Sequence, residues 1–209
     1  MIEALIDIAF YSTLVPLLIG MFNFKHLDDK LIKVFFVCFS INSVLDIIGY
    51  YLAHQSIKNH IYYNAVDMIT IVFLFIVTRI EKDKWVSPMV AVLFIFSCYN
   101  LLANGILDFS SLNYVVIYTF QSIYMAYKLS KLVEEVDRSI VKYSKFWLYV
   151  GLILFGFSTI SVYIMFEYVM KLGDSSVILF HSVNNSIVCI IVNVLYSKSF
   201  LCQKKTQIY

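Results

Sequence analysis

A chain of 209 residues that is 61% hydrophobic and 14% charged departs from a soluble domain, where about a quarter of residues carry charge. Its apolar runs continue for about 20 residues, the length of a membrane-spanning helix, and argue against the short alternating segments of a β-barrel. The net charge is only +2, and no basic stripe with interleaved aromatics lies outside the runs, which argues against nucleic acid as a partner. The expected class is an all-α polytopic membrane protein whose first partner is the lipid bilayer.

No Lys or Arg precedes Lys25, while Glu3 and Asp7 lie near the start. A cleaved signal needs a positive first segment and a small-residue cleavage site, so the first apolar run is expected to remain as a span. Seven runs follow one another over 4–22, 31–53, 61–80, 86–104, 112–133, 146–170 and 176–200, in one transmembrane domain covering 1–209. Pro16 falls inside the first run and is expected to kink it or free a carbonyl. Pro88 falls in the first turn of the fourth, where proline is tolerated. The segment 134–145, bearing Glu134, Glu135, Asp137, Arg138, Lys142 and Lys145, reads as an amphipathic extension of the fifth span or a short surface helix. It is either a solvated face or a docking surface for a cytoplasmic signalling partner. The cysteines, Cys38, Cys98, Cys189 and Cys202, form no CxxC pair, so neither a disulfide nor a structural zinc site is expected.

The cations set an orientation. Fourteen of the 16 Lys and Arg residues fall in alternate connections and the tail, and only Lys58 and Lys171 lie on the opposite side. Seven spans with the N-terminus out and the C-terminus in keep this alternation; an even number breaks it. Trp85 and Trp147 then sit at the cytoplasmic entry of the fourth and sixth spans, and Tyr50, Tyr51, Tyr62 and Tyr63 near the outer boundary.

Polar residues inside the runs are paired at helical spacing: Asn42 with Asp46, Asn64 with Asp67, Ser97 with Asn100 and Asn104, and His181 with Asn184 and Asn185. Spacings of three or four put each pair on one face, and lipid cannot satisfy that face, so it is expected to turn into the bundle. At 1.5 Å per residue, Asp46, Asp67 and His181 lie about 10, 9 and 8 Å below the outer ends of their spans. Glu167 lies nearer the outer rim. The outer side carries seven acids and three of the four histidines against two cations, so it is expected to be electronegative. Laying 61–77 on 178–194 also matches Asn64 with His181 and Asp67 with Asn184, a faint internal repeat.

Four readings suit this pattern. The Asn residues could be interhelical glue, worth about 1 kcal/mol per hydrogen bond. A receptor would bind a small ligand and move its cytoplasmic ends, through a partner because the chain has no output domain. A small carrier of three-plus-one-plus-three spans would use Pro16 and the intramembrane acids. An intramembrane lipid hydrolase of the zinc type needs several histidines, and only His181 lies within a span. No cofactor is implied; a retinal Schiff base lacks its mid-span lysine in the seventh helix.

The segments Ile61-Tyr-Tyr-Asn64, Lys145-Phe-Trp-Leu-Tyr-Val-Gly151 and His181-Ser-Val-Asn-Asn185 with Asn193 resemble an uncharacterised family of small bacterial seven-span membrane proteins. The resemblance covers most of the chain and implies a cell inner membrane and a sensory role beside sensor kinases, with no catalytic residue. The chain departs from the family's pattern in having Asp67 where a Glu is expected. The sequence thus predicts a receptor-like or accessory signalling protein with a polar cavity in its outer half. That cavity would bind a small ligand or cation and be built from Asp46, Asn64, Asp67, Asn104, Glu167, His181, Asn184 and Asn185.

Overall fold

The computed structural model describes residues 2–55, 57–105, 108, 110–136, 139–172 and 175–202, without the side chains of 2, 3, 104, 165–172, 175–178, 180 and 181. All the regular structure among the described residues is helical. The α-helices are α1 (Ile2–Ser12), α2 (Leu14–Asn23), α3 (Lys30–His54), α4 (His60–Ile80), α5 (Val86–Asn104), α6 (Ser111–Glu135), α7 (Ser144–Leu172) and α8 (Ser175–Leu201). Short 3₁₀ turns lie at Phe24–His26 and Ile140–Lys142. Thus each apolar run is helical, the first as two helices.

Five segments are long and apolar enough to cross a membrane: Ala4–His26, Lys30–His54, His60–Ile80, Val86–Ala103 and Ser144–Ile164. α6 is as long, but Asn113, Gln121, Ser122, Lys128 and Lys131 interrupt its apolar character. α8 has much of its N-terminal half outside the described side chains.

The surface fits the class. In α5, Val92, Ile95, Tyr99 and Leu102 are exposed, while Ser97 and Asn100 are buried; in α3, Val37, Ile41, Val44 and Ile48 are exposed and Ser43 is buried. Apolar residues outside and polar ones inside invert the pattern of a helix facing water and fit a helix whose outer solvent is hydrocarbon.

The chain divides into two compact units, Lys33–Ile117 and Met1–Ile32 with Tyr118–Tyr209. In the first, α3 and α4 are joined by a five-residue connection. It is tied back where the Asn59 amide nitrogen donates to the Gly49 carbonyl at 2.8 Å. A five-residue turn then brings α5 onto α4, and the start of α6 meets the end of α5 through side-chain amides. Asn100 donates to Ser110 at 2.6 Å and to Asn113 at 3.0 Å, and Asn113 donates to the Ser97 carbonyl at 3.4 Å.

In the second unit α8 packs on α1, α2 and α7. The first span breaks at Thr13 because Pro16, three residues on, has no N–H for the Ser12 carbonyl and its ring crowds it. α7 meets α6 at Gly156, where a β-carbon would collide with the Ser122 hydroxyl and lie 3.0 Å from the Tyr118 carbonyl. Gln121 donates to the Leu152 carbonyl at 3.3 Å, and Tyr118 and Phe155 pack edge to face at 5.5 Å. α7 meets α8 at Gly151, against the Tyr196 ring. Small residues at such crossings let helices approach closely where water supplies no drive. α6 continues to Glu135, so the expected amphipathic segment is realised in part as the end of this helix, followed by the 3₁₀ turn.

Candidate functional site

The site begins with two stripes. On α3, Asn42, Asp46 and Gly49 follow at intervals of four and three; on α4, Tyr63, Asp67 and Thr70 do the same. The stripes meet at Gly49. A β-carbon there would touch Tyr62 Cβ, the Tyr63 ring and the Asn59 amide, each at 3.9 Å. Asn59 and Asp46 both lie within electrostatic reach of Tyr63. Short-linked helices run antiparallel, so both acids fall below this contact: Asp46 by three residues, about 4.5 Å, and Asp67 by four, about 6 Å. One contact therefore sets the two acids at similar depth.

Their surroundings differ. Asp46 is half-buried. Asp67 is 0% exposed, and neither carboxyl oxygen has a hydrogen-bond partner among the described residues. Taking a charged or polar group out of water is costly without such partners, and an ionisable group inside a span is usually retained for what it binds or moves. The arrangement offers two carboxyl groups that can accept a cation, an ammonium or a proton. Asn64, one turn from Asp67, is buried and donates to the Asp108 carbonyl at 3.1 Å. It ties α4 to the connection after Gly105, a left-handed residue at φ 93°.

The remaining expected residues divide. Asn184 and Asn185 lie on α8, in the other unit, and both are exposed. Asn185 accepts a hydrogen bond from Ser158 of α7 at 3.4 Å. The expected inward turn of this pair therefore does not hold for Asn184. The side chains of Asn104, Glu167 and His181 lie outside the described residues. Sequence reasoning passed over Asn59, Asn113 and Gln121. Asn113, Ile117, Gln121 and Met125 recur every four residues and are all buried, a helical stripe that would have marked an interior face of α6. Among the described residues no group of three His, Cys, Asp or Glu side chains could hold a metal ion.

Fold and site together define a class, an all-α membrane protein with an unpartnered carboxyl group buried in a span. Set against known protein families, curated proteins and solved structures, the chain matches none.

Proposed function

We propose that the chain is a seven-span protein of a bacterial inner membrane, N-terminus out and C-terminus in, acting as a receptor-like or accessory signalling component. It binds a small cation or a ligand amine at Asp67, with Asp46 at similar depth. The observation that carries this is the Asp67 carboxyl group, fully buried in a span and unpartnered among the described residues. The distribution of Lys and Arg supports the orientation. The helical end of α6 and the segment up to Lys145 form the surface offered to a cytoplasmic signalling partner.

The test is thermal unfolding of the purified protein in nanodiscs, titrated with Na⁺, K⁺, Mg²⁺ or ethylamine. A bound probe at 100 times its Kd stabilises by about 2.7 kcal/mol. One of these probes raises the Tm of the native chain, and Asp67→Asn removes the rise while keeping the unliganded transition. An equal rise in Asp67→Asn, or no rise with any probe, would overturn the assignment.

The break at Thr13 favours one further reading, a small carrier, because transporters place interrupted helices at their binding sites. Accumulation of a Tm-shifting probe inside proteoliposomes would select it over the receptor.

A further inference from the structure

The turn between α4 and α5 holds a cavity of about 650 Å³. Arg79, Lys82 and Lys84 line it, with Asp83 the single acid and with Thr78 and Ser87 as hydroxyl neighbours. The turn is fixed by its own backbone: Glu81 N–H donates to the Val77 carbonyl and Asp83 N–H to the Thr78 carbonyl, each at 2.9 Å, and Val86 N–H to the Asp83 carbonyl at 3.1 Å. Lys82 takes the left-handed cap position at φ 57°, where Gly or Asn is the usual choice. A long cation is held there at a conformational cost. The Arg79 guanidinium stacks over the Phe75 ring at 5.1 Å, which orients it at the cavity wall.

The cavity changes character along the helices. Phe75 and Ala91 line it, and one turn further towards the middle of each helix stand Val72, 48% exposed, and Ile95, 67% exposed. Trp85, 90% exposed, sits beside the cations. An exposed Trp at a span's end marks the headgroup level of a bilayer. A cationic pocket at that level, continued by exposed apolar side chains on two spans, is complementary to a molecule with a phosphate head and acyl tails. A free phosphate would use only the upper half of this surface.

We infer that the α4–α5 turn is a binding site for the phosphate headgroup of an anionic phospholipid, with Arg79 and Lys82 on the phosphate and the Val72 and Ile95 faces along the acyl chains. The inference rests on α4 and α5 as spans and is independent of the role of Asp67.

The experiment is native mass spectrometry of the full chain released from mild detergent with phosphatidylglycerol, phosphatidylcholine or inorganic phosphate. It is repeated on Arg79→Gln/Lys82→Gln and on the control Lys142→Gln. The native chain and the control retain phosphatidylglycerol at least tenfold better than phosphatidylcholine, and the double variant loses that preference. A double variant that keeps the preference would overturn the site. Inorganic phosphate that displaces phosphatidylglycerol at equal concentration would overturn the lipid assignment. If the double variant does not fold, the native chain decides alone, because preference must fall as salt rises from 0.1 to 0.5 M, on the order of the change in screening length expected there. An unchanged or absent preference would overturn the proposal.

Discussion

The side-chain amide of Asn193 on α8 donates to the Ser12 hydroxyl at 2.7 Å and to the Thr13 hydroxyl at 3.3 Å, at the turn where Pro16 has removed a backbone donor. Ser12 in turn donates to the Ala9 carbonyl at 2.6 Å, and the Ser197 hydroxyl donates to the Asn193 carbonyl at 2.7 Å. The break in the first span is thus bridged by a chain of side-chain hydrogen bonds inside one compact unit. Asn193→Ala is expected to lower stability by about 1–2 kcal/mol, the upper range for hydrogen bonds between membrane helices. In a Pro16→Ala background, where the helix can close on itself, the loss should shrink. Thermal unfolding of the four chains in the double-mutant cycle checks this; an equal loss in both backgrounds would reduce Asn193 to local glue.

The two glycines of α7 test the helix crossings. Gly156→Ala places a methyl group against Ser122 and the backbone carbonyl of Tyr118, and a carbonyl cannot swing aside. Gly151→Ala meets first the Tyr196 ring edge and then Leu195, side chains that can shift. Overpacking costs about 1–3 kcal/mol, so Gly156→Ala should fall at the upper end and Gly151→Ala below it. The order of the two unfolding midpoints is the readout; the reverse order would place the tighter crossing at α8.

Asp67→Leu separates stability from function. An unpartnered buried polar group carries a desolvation cost of about 1–3 kcal/mol, and an apolar group of similar shape removes it. The variant is therefore expected to unfold at a higher Tm than the native chain and to lose the Tm rise given by the cation or amine probe. Residues kept at a stability cost are those that function requires. A Leu variant that unfolds earlier would instead mean that the carboxyl group holds the fold together.

The helices were legible because hydropathy depends on each stretch alone. The run 86–104 coincides with α5 (Val86–Asn104), and 61–80 begins one residue inside α4 (His60–Ile80). The pairing of Asn64 with Asp67 was legible for the same reason, since spacing fixes a face. What spacing leaves open is which neighbour the face meets. Asn59 reaching back to Gly49, and Asn113 joining Asn100 to the Ser97 carbonyl, depend on how two helices are rotated against each other. The inward turn expected of Asn184 failed for the same reason: Asn184 stands nine residues inside α8 (Ser175–Leu201) and is exposed, because spacing fixes which residues share a face and not the direction in which the helix turns it. The first span's break shows the same limit, since Pro16 was visible but the residue that bridges it, Asn193, lies 181 positions from Ser12.

Topology is decided on α8, where positions 184 and 202 serve as reporters. Asn184 is exposed, and Cys202 lies 18 residues on, about 27 Å along a helix. With Cys38, Cys98 and Cys189 replaced, one variant keeps Cys202 alone, and a second replaces it and carries Asn184→Cys. In intact cells a membrane-impermeant maleimide is expected to label the position 184 thiol within minutes and to reach Cys202 only after the cells are opened. That pattern requires α8 to cross the membrane and to start outside, which with the N-terminus out makes the number of spans odd. Labelling of both from outside would mean that α8 does not span. Labelling of Cys202 alone would invert the chain and put Arg79, Lys82 and Lys84 on the outer face, against the charge asymmetry from which the orientation was argued.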